Sequence, residues 1–538
     1  MITDRGIARL RAWSTVASVL AVLMGQPALA QDFPSPFVQT IAVAASDDDA
    51  IAAFYRDNDY RPLWTGAGEA DAARRAALFN AVSRAGDHGL PTARYDVQAL
   101  SAMLSQAVTE GDRARAEVAL TRAFLSYARD VRSGATEPKL VDTGIVRDIA
   151  RPDPAGLLAQ LQSRNPVEVM QDLPPKGPHY AQLMRAKLAL EGKIAAGGWG
   201  PTVLAGALAP GETGETVVAL RDRLVAMGYL GRSATRSYDA AIQTAVTRFQ
   251  LDHGLAPDGI ATPATLAQLN VAPEQRLKSI VVAMERMRWM GDTPLGDRHV
   301  WVNLPDYTAK IIDHGKVTFE TRAVIGKNVP DQRTPEFSDV METIVINPSW
   351  GVPRSIIVNE YLPLLQRNPN AVSHLQVIDR RGRVVSRGAV NFAGYSARTF
   401  PFGLRQPPSD GNALGKVKFL FPNTHNIYLH DTPAKNLFSH DVRAYSHGCI
   451  RLADPIDFAE TLMATQSPDP KAEFSRVLKT GRESPVKIEE KLPVHLVYFT
   501  AFPGAKGQMT YRADIYDRDA KLFQALEAAG VVLPMVRG

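Results

Sequence analysis

The stretch IYLHDTPAKNLFSHDVRAYSHGCIRLADP (residues 427–455) contains Cys449, the only cysteine in the chain of 538 residues. Its first residues alternate between apolar and polar side chains. This alternation predicts a β-strand with Tyr428 and His430 on one face and core residues on the other. Eighteen residues then separate His430 from Cys449. The stretch therefore predicts a strand that carries a histidine, followed by a long loop that returns the chain to the thiol.

The residues on both sides of Cys449 predict how the thiol is presented. Gly448 permits the backbone conformations of a tight turn. Asp454 and Pro455 are typical of a helix start, as the cap and the first-turn proline. We therefore expect Cys449 to lie on a turn between a strand and a helix. A free cysteine is usually buried and inert, but the neighbouring side chains indicate a reactive one.

A thiol has an ordinary pKa of about 8.5, so a nucleophilic cysteine needs a base at neutral pH. His430 can face Cys449 across the site, and we predict that it is the proton acceptor and donor. His447 is only two residues from the thiol, which makes a direct hydrogen bond awkward, so we predict a positioning role for it. The backbone N–H groups of Cys449 and of Gly448 or His447 are candidates for an oxyanion hole. The predicted catalytic set comprises Cys449, His430, His447, Gly448 and Ser446.

Two other interpretations of these residues are open. His430 or Cys449 taken alone is more often a core residue than a catalytic one, but the combination favours catalysis. A zinc site would draw its ligands from His430, His440, Asp441 and His447. Their spacing fits no zinc motif and leaves the thiol unexplained. We therefore predict no metal and no cofactor.

The first 30 residues have the pattern of a signal peptide. Arg5, Arg9 and Arg11 precede an apolar run over residues 13–24, and Ala28-Leu29-Ala30 resembles a cleavage site. The run is shorter than the roughly 20 residues that span a bilayer. An uncleaved anchor is the alternative. We predict an exported protein that starts near residue 31 and has no membrane span after cleavage.

Charge and composition indicate which classes of protein the chain can belong to. The composition is that of an ordinary globular chain, 45% hydrophobic and 22% charged, and its length predicts two to four domains. Residues 1–30 hold three Arg and one Asp, so without them the net charge falls from +5 to +3. No stripe of Lys and Arg interleaved with aromatic residues is present, which argues against nucleic acid as a partner.

Periodicity divides the rest of the chain. Residues 31–200 read as mainly helical, with Asp112 as the cap of one long helix and Gly134 at its end. A Gly- and Pro-rich linker over residues 197–214 leads to a small three-helix module at 212–272. These predictions give a helical scaffold followed by a module too small to hold an enzyme site comfortably.

From residue 276 to 538 the pattern becomes β-rich. Alternation around residues 299–326, in METIVINPSW (341–350) and in later runs predicts strands. A mixed segment at about 351–418 opens with a predicted helix, RSIIVNEYLPLL, and resembles an insertion over the sheet. Such long excursions are often lids or binding loops.

HDTPAKNLFSHDVRAYSHGCIRL closely resembles the catalytic motif of the L,D-transpeptidase family, an upstream His followed by Ser-His-Gly-Cys-x-Arg. VNLPDYTAKIIDHGK, RAVIGK, TPEFS, NPSW and YLHDTP are similar to the large periplasmic branch of that family. ETVVALRDRLVAMGYL and RFQLDHGLAPDGIATPATLAQLN resemble a three-helix peptidoglycan-binding domain, and residues 31–200 resemble the branch's helical scaffold domain. The resemblance implies a multidomain protein with a β-rich catalytic domain and a lid-like insertion.

The resemblance also implies a reaction. The Cys449 thiolate would attack the carbonyl between meso-diaminopimelate and the terminal D-alanine of a peptidoglycan tetrapeptide stem. D-Alanine would leave, and a second stem's diaminopimelate amine would resolve the thioester into a 3→3 cross-link. Arg451 would bind a substrate carboxylate or tie the turn, and Tyr428 and Trp350 would line the donor groove or pack in the core. The role of Asp431, where many relatives have Gly or Ser, stays open.

The same resemblance implies the setting of the reaction. Donor and acceptor stems are the expected partners, together with other wall-synthesis enzymes, and the periplasm is the expected location. Carbapenems, which acylate the nucleophile of such enzymes, are expected inhibitors. Two alternatives remain: the same site could use water or a lipoprotein lysine as acceptor, or the chain could be a non-enzymatic wall-binding protein.

Overall fold

The computed structural model describes residues 34–291, 294–505 and 507–535. The predicted signal peptide lies outside the described residues. Within the described ranges, no helix combines the length and the hydropathy that a membrane crossing requires. Helices and strands are numbered below in chain order.

Residues 36–195 are helical, as the apolar periodicity predicts. The helices of this region are α1 (Pro36–Ala44), α2 (Asp49–Asp57), α3 (Glu69–Ser83), α4 (Val97–Ser105), α5 (Glu110–Ser133), α6 (Pro138–Val141), α7 (Pro154–Ser163), α8 (Pro166–Asp172) and α9 (Pro178–Ala195). The long helix α5 ends before Gly134, as predicted. Its predicted start is wrong, because Thr109 is the N-cap and its hydroxyl accepts the Asp112 N–H. Asp112 is the third helical residue, and its carboxylate completes a capping box with Thr109.

The three-helix module consists of α10 (Glu215–Met227), α11 (Ala240–Asp252) and α12 (Pro263–Leu269). Its core includes Val203 and Leu208, which belong to the predicted linker. Leu208 also forms a β-bridge with Ala261. From Val203 onward, the predicted linker is therefore part of the module rather than a free tether.

The long helix α13 (Pro273–Met290) leads into a β-domain. Its strands and helices are β1 (Arg298–Asn303), β2 (Thr308–Asp313), β3 (Lys316–Gly326), β4 (Phe337–Ile346), β5 (Trp350–Gly351), α14 (Arg354–Ile356), α15 (Leu362–Arg367), β6 (Gln376–Ile378), β7 (Val384–Val385), β8 (Gly403–Gln406), β9 (Val417–Leu420), β10 (Leu429–His430), β11 (Ala444–Ser446), β12 (Ile450–Leu452), α16 (Pro455–Met463), α17 (Pro470–Leu478), β13 (Ser484–Val497), β14 (Ala501–Pro503), β15 (Met509–Tyr511) and α18 (Arg518–Ala528).

The main sheet closes on itself. Its order is β11-β3-β12-β10-β9-β4-β13-β1-β2, and β2 pairs again with β3. The eight strands from β3 to β2 therefore form a ring, with β11 added at the end of β3. The apolar faces of the strands pack around Phe419 and Leu429 and against Phe458 of α16. Closure leaves few free edges and fixes the register of the strands that hold the thiol.

The predicted insertion is a small unit with its own core. The strands β5, β8, β6 and β7 form a separate sheet. A continuous helical segment from Arg354 to Arg367 packs on it, with a π-turn over Ile357–Tyr361. Leu362, Leu365 and Phe400 belong to a cluster that is distinct from the barrel core.

The helical domain is joined to the β-domain by backbone pairing and buried charge. Ile145 forms a parallel bridge with Glu336, and the Val146 N–H donates to the Glu336 carbonyl at 2.8 Å. The buried Arg518 guanidinium lies 3.6 Å from the Asp142 carboxylate and 3.4 Å from that of Glu336. The helical domain is thus attached directly to the barrel domain, through contacts with Glu336 and Arg518.

Candidate active site

Two short parallel strands place the predicted site residues side by side. Leu429 is the register partner of Ile450, and His430 is the partner of Arg451. Leu429 and Ile450 are fully buried in the barrel core, so the alternate residues face the other side of the sheet. Cys449 comes directly before β12, at the level of Tyr428. The expected strand face is therefore present, although the strand itself covers only Leu429–His430.

The turn before β12 is held by its own hydrogen bonds. The buried Ser446 hydroxyl donates to the Cys449 carbonyl at 2.5 Å and accepts the Gly448 N–H at 3.0 Å. Gly448 has φ +117°, a conformation that other residues rarely adopt. Ser446 is therefore a structural centre of the turn. Its hydroxyl takes up the Gly448 amide, which leaves the Cys449 amide as the better oxyanion donor.

Cys449 is half-buried, and its thiol donates to the Asn426 carbonyl at 3.5 Å. Burial raises the pKa of the thiol to about 11, although the Tyr428 contacts and the Arg451 charge oppose the shift. The resting side chain is therefore a protonated thiol at neutral pH.

His430 is buried, and its Nδ1 lies 2.5 Å from the Asp431 carbonyl oxygen. A carbonyl only accepts, so Nδ1 carries the hydrogen and Nε2 is left as the basic atom. Burial, followed by the Arg451 and Lys418 charges, lowers the pKa of His430 to about 3. Among the described residues, no hydrogen bond joins this imidazole to Sγ of Cys449. The resting site thus pairs a neutral base with a neutral thiol.

The side chain of Asp431 explains why its carbonyl is held in place. Its carboxylate accepts the N–H of Lys416 at 2.8 Å and that of Thr432 at 2.7 Å. It also accepts from the Lys435 ammonium at 2.7 Å. A Cβ at Gly415 would lie 2.2 Å from this carboxylate, so only glycine fits there. Asp431, to which the sequence assigned no role, thus fixes the carbonyl that accepts the hydrogen bond from His430 Nδ1.

His447 points away from the thiol and toward the insertion. Its Nε2 lies 2.7 Å from Oε1 of Glu360, within the π-turn of the insertion helix. A direct hydrogen bond between His447 and Cys449 is not seen among the described residues, in line with the awkward spacing. Sequence reasoning missed Glu360, since a partner 87 residues away leaves no local signal.

Tyr428 contacts the thiol, and Trp350 contacts Tyr428. Burial, together with the neighbouring Cys449 sulfur, raises the pKa of Tyr428, while Trp350 opposes the rise. The Trp350 ring also lies edge-on to Tyr361 of the insertion, with ring centroids 6.5 Å apart. Tyr428 therefore lies at the sulfur, whereas Trp350 lies behind it and packs against the core of the insertion.

A row of basic side chains crosses the sheet beside the thiol. His430 is the register partner of Lys418 on β9 and of Arg451 on β12. Burial lowers the pKa of Arg451, and its Nε is buried with no hydrogen-bond partner among the described residues. Such an unpaired donor is suited to a ligand carboxylate. Sequence reasoning missed Lys418, which only the register between β9 and β10 brings into the row.

The zinc alternative gains no support from the geometry. In the part of the chain that the structure describes, no group of three or more His, Cys, Asp or Glu lies close enough to hold a metal ion. His440 instead packs edge-on against Tyr445, with ring centroids 5.5 Å apart.

Three parts of the chain match known domain families. Residues 49–186 match the scaffold domain, and residues 213–269 match the family described as "Putative peptidoglycan binding domain". Residues 297–488, which include Cys449 and His430, match the L,D-transpeptidase catalytic domain. The predicted domain types and fold class are confirmed.

Individual proteins also resemble the chain. A protein of Haemophilus influenzae named "Putative L,D-transpeptidase" is 29% identical over 247 residues, which are 46% of this chain and 49% of that protein. The match therefore spans about half the length of this curated relative.

Two solved structures are similar in part. The L,D-transpeptidase (residues 123–326) from Xylanimonas cellulosilytica is 16% identical, covers 55% of this chain and 98% of its own, and has a TM-score of 0.17. The L,D-transpeptidase (Yku) from Stackebrandtia nassauensis is 14% identical, covers 55% and 97%, and has a TM-score of 0.21. At these TM-scores the likeness supports no conclusion on function.

Proposed function

We propose that the chain is a peptidoglycan L,D-transpeptidase that forms 3→3 cross-links through a thioester on Cys449. One observation carries the proposal: within a domain of the L,D-transpeptidase type, the only thiol lies on a turn beside a buried histidine. Its Nδ1 is held by a carbonyl, and its Nε2 makes no hydrogen bond within the described part of the chain.

Acylation would begin with a proton transfer from the Cys449 thiol to Nε2 of His430 as sulfur attacks the carbonyl of the third residue of the stem. The Cys449 amide would stabilise the oxyanion that forms. When the C–N bond breaks, His430 would return the proton to the amine of the leaving D-alanine. The product of this half-reaction is a thioester and free D-alanine.

Deacylation would repeat these steps with a new nucleophile. The amine of a second stem would attack the thioester carbonyl while His430 takes its proton. The C–S bond would then break, and the proton would return to sulfur. Water as acceptor would give an L,D-carboxypeptidase, and a lipoprotein lysine would give an attached protein instead of a cross-link.

The pKa values suggest how substrate activates the pair. Burial lowers the pKa of His430, and the positive charges of Arg451 and Lys418 lower it further. A stem carboxylate bound beside the unpaired Nε of Arg451 would offset this charge and raise the pKa of the base. Proton transfer would then become easier when donor stem is bound.

The module at residues 213–269 would hold the enzyme on its polymer. It docks on the β-domain through His253, which stacks on Tyr511 with ring centroids 5.5 Å apart. We infer a wall-binding role for it. Co-sedimentation of the Cys449→Ala full chain with sacculi, in which no acylation can occur, tests this role; a protein left in the supernatant would contradict it.

An exported location follows from the signal pattern of residues 1–30, and carbapenems would acylate Cys449.

Mass spectrometry of the protein incubated with a disaccharide-tetrapeptide tests the reaction. We expect a dimer that has lost one D-alanine, and no dimer with Cys449→Ala or His430→Gln. His425→Gln is the matched control, because His425 is exposed in the same domain. Tripeptide alone would identify a carboxypeptidase. Activity that persists in Cys449→Ala would overturn the assignment of the nucleophile.

A further inference from the structure

We infer that Thr334 aims the oxyanion donor of the site, by holding the far end of the peptide unit that carries the Cys449 N–H. The Thr334 side chain is fully buried. Its hydroxyl donates to the Gly448 carbonyl at 2.7 Å and accepts the Gly326 N–H at 2.9 Å. The hydroxyl thus both donates and accepts a hydrogen bond, and the bond that it donates goes to the turn that carries Cys449.

The geometry of the peptide bond links this contact to the reaction. The Gly448 carbonyl and the Cys449 N–H belong to one planar unit and point in opposite directions when the bond is trans. A carbonyl fixed toward the buried Thr334 therefore turns the N–H toward the outer side of the turn. Among the described residues, no hydrogen bond takes up this N–H. It is available to an oxyanion on the substrate.

Thr334 is itself held from two sides. Its N–H donates to the Tyr516 hydroxyl at 3.3 Å, and that hydroxyl donates to the Gly326 carbonyl at 2.6 Å. The Arg518 guanidinium donates to the Thr334 carbonyl at 3.1 Å. A Cβ at Gly326 would lie 1.9 Å from the Gln332 carbonyl, so the approach of this loop to β3 requires glycine. The loop has little freedom to shift, which suits a residue that sets a direction.

Thr334 is a positioning residue under this inference, since it acts through the backbone of Cys449. The inference rests on the proposed function in taking Cys449 as the acylated nucleophile. Its test uses p-nitrophenyl acetate as well as the tetrapeptide, because both pass through a tetrahedral oxyanion. Alkylation of Cys449 by iodoacetamide displaces iodide and forms no oxyanion, so it reports on the thiol alone.

The experiment compares Thr334→Val, which keeps the shape but removes the hydroxyl, with Thr334→Ser, which keeps the hydroxyl. We expect Thr334→Val to slow acylation by both substrates by about 10²-fold in kcat, the usual effect of losing one oxyanion donor. KM and the alkylation rate should change little. Thr334→Ser should restore most of the acylation rate. Thr343→Val, in the half-buried part of β4, is the matched control.

Each outcome decides the inference. Equal acylation by Thr334→Val and the wild type would overturn it, as would an equal loss of acylation and alkylation, since that indicates a merely structural role. Should Thr334→Val fail to fold, Tyr516→Phe removes the hydroxyl behind Thr334 and should give a smaller loss confined to acylation. If Cys449→Ala still forms acyl-enzyme, the proposed function fails. If only the tetrapeptide is inert, the ester still tests Thr334.

Discussion

His447 Nε2 and Glu360 Oε1 lie 2.7 Å apart, and this contact joins the turn that carries Cys449 to the helix of the insertion. The two side chains are partly exposed, at 33% and 44%. Even between two charged groups, a contact of this exposure contributes only about 0.2–1 kcal/mol. The contact is therefore suited to orienting the insertion over the site rather than to stabilising the fold.

The variant Glu360→Ala should weaken the binding of donor stem. We expect KM for D-alanine release to rise by up to about fivefold, the equivalent of 1 kcal/mol, with little change in kcat. Steady-state kinetics on the tetrapeptide measure both constants. Glu342→Ala is the control, because Glu342 pairs with Lys491 on the barrel surface. A fall in kcat with an unchanged KM would instead show that Glu360 acts on the chemistry through His447.

The reactivity of the free thiol should depend on pH in an unusual range. Burial raises the pKa of Cys449 to about 11, and the nucleophilic thiolate accumulates only as the pH approaches this value. The rate of alkylation by iodoacetamide should thus keep rising from pH 7 to pH 10. Arg451→Gln removes a charge that lowers this pKa, so it should slow alkylation throughout that range, whereas Arg476→Gln on α17 should not. A plateau near neutral pH would reveal a preformed thiolate–imidazolium pair and contradict the expectation.

Removal of the Asp431 carboxylate should affect both stability and activity. Asp431→Ala leaves the Lys416 N–H without its acceptor, which costs about 1–3 kcal/mol in the free energy of unfolding for a buried group. D-Alanine release should also slow, since the carbonyl that orients His430 loses its support. Chemical denaturation and the kinetics of release measure the two effects.

Asp410→Ala provides the comparison for Asp431→Ala. Asp410 pairs with the Lys416 ammonium, but its side chain is 95% exposed, so its removal should change neither quantity. Full activity in Asp431→Ala would show that the position of His430 does not depend on this carboxylate.

Adding one methyl group at the contact between the helical domain and the barrel should lower the stability of the protein. A Cβ at Gly144 would lie 2.3 Å from Arg518 Nη2, whose guanidinium is buried beside Glu336. Gly144→Ala should therefore lower the thermal midpoint. Gly192→Ala, in helix α9 with open space around the new Cβ, should leave it unchanged or raise it slightly. Equal midpoints in the two variants would mean that Arg518 moves aside without cost.

Local patterns in the sequence predicted much of this structure. Alternation identified β1 and β9, and the Asp454-Pro455 pair identified the start of α16. Physical detail still differs, because the Asp454 carboxylate does not cap α16 and instead accepts from the Thr321 hydroxyl at 2.8 Å. A capping residue predicts the place of a helix end more reliably than the bond that it makes there.

The candidate site was predictable only as far as one motif reaches. Cys449, His430 and the turn between them lie within 20 residues, so their types and spacing were informative. Lys418, Thr334 and Glu360 come from other strands or loops, and only strand register or the folded insertion brings them near. The ring also needs the pairings of β1 with β13 and of β3 with β12, which join strands far apart in the chain and which no local window contains.

The insertion leaves the barrel after Ile346 on β4 and rejoins it at Val417 on β9. These two residues are register partners. The Asn347 N–H also donates to the Lys416 carbonyl at 2.8 Å. In topological terms the whole insertion is the loop of one hairpin, so the barrel can close whatever this loop contains. The length and the sequence of the insertion can therefore change without altering the strand order of the barrel. The cover over the thiol can thus diversify as a separate unit, without a change in the turn that presents the thiol.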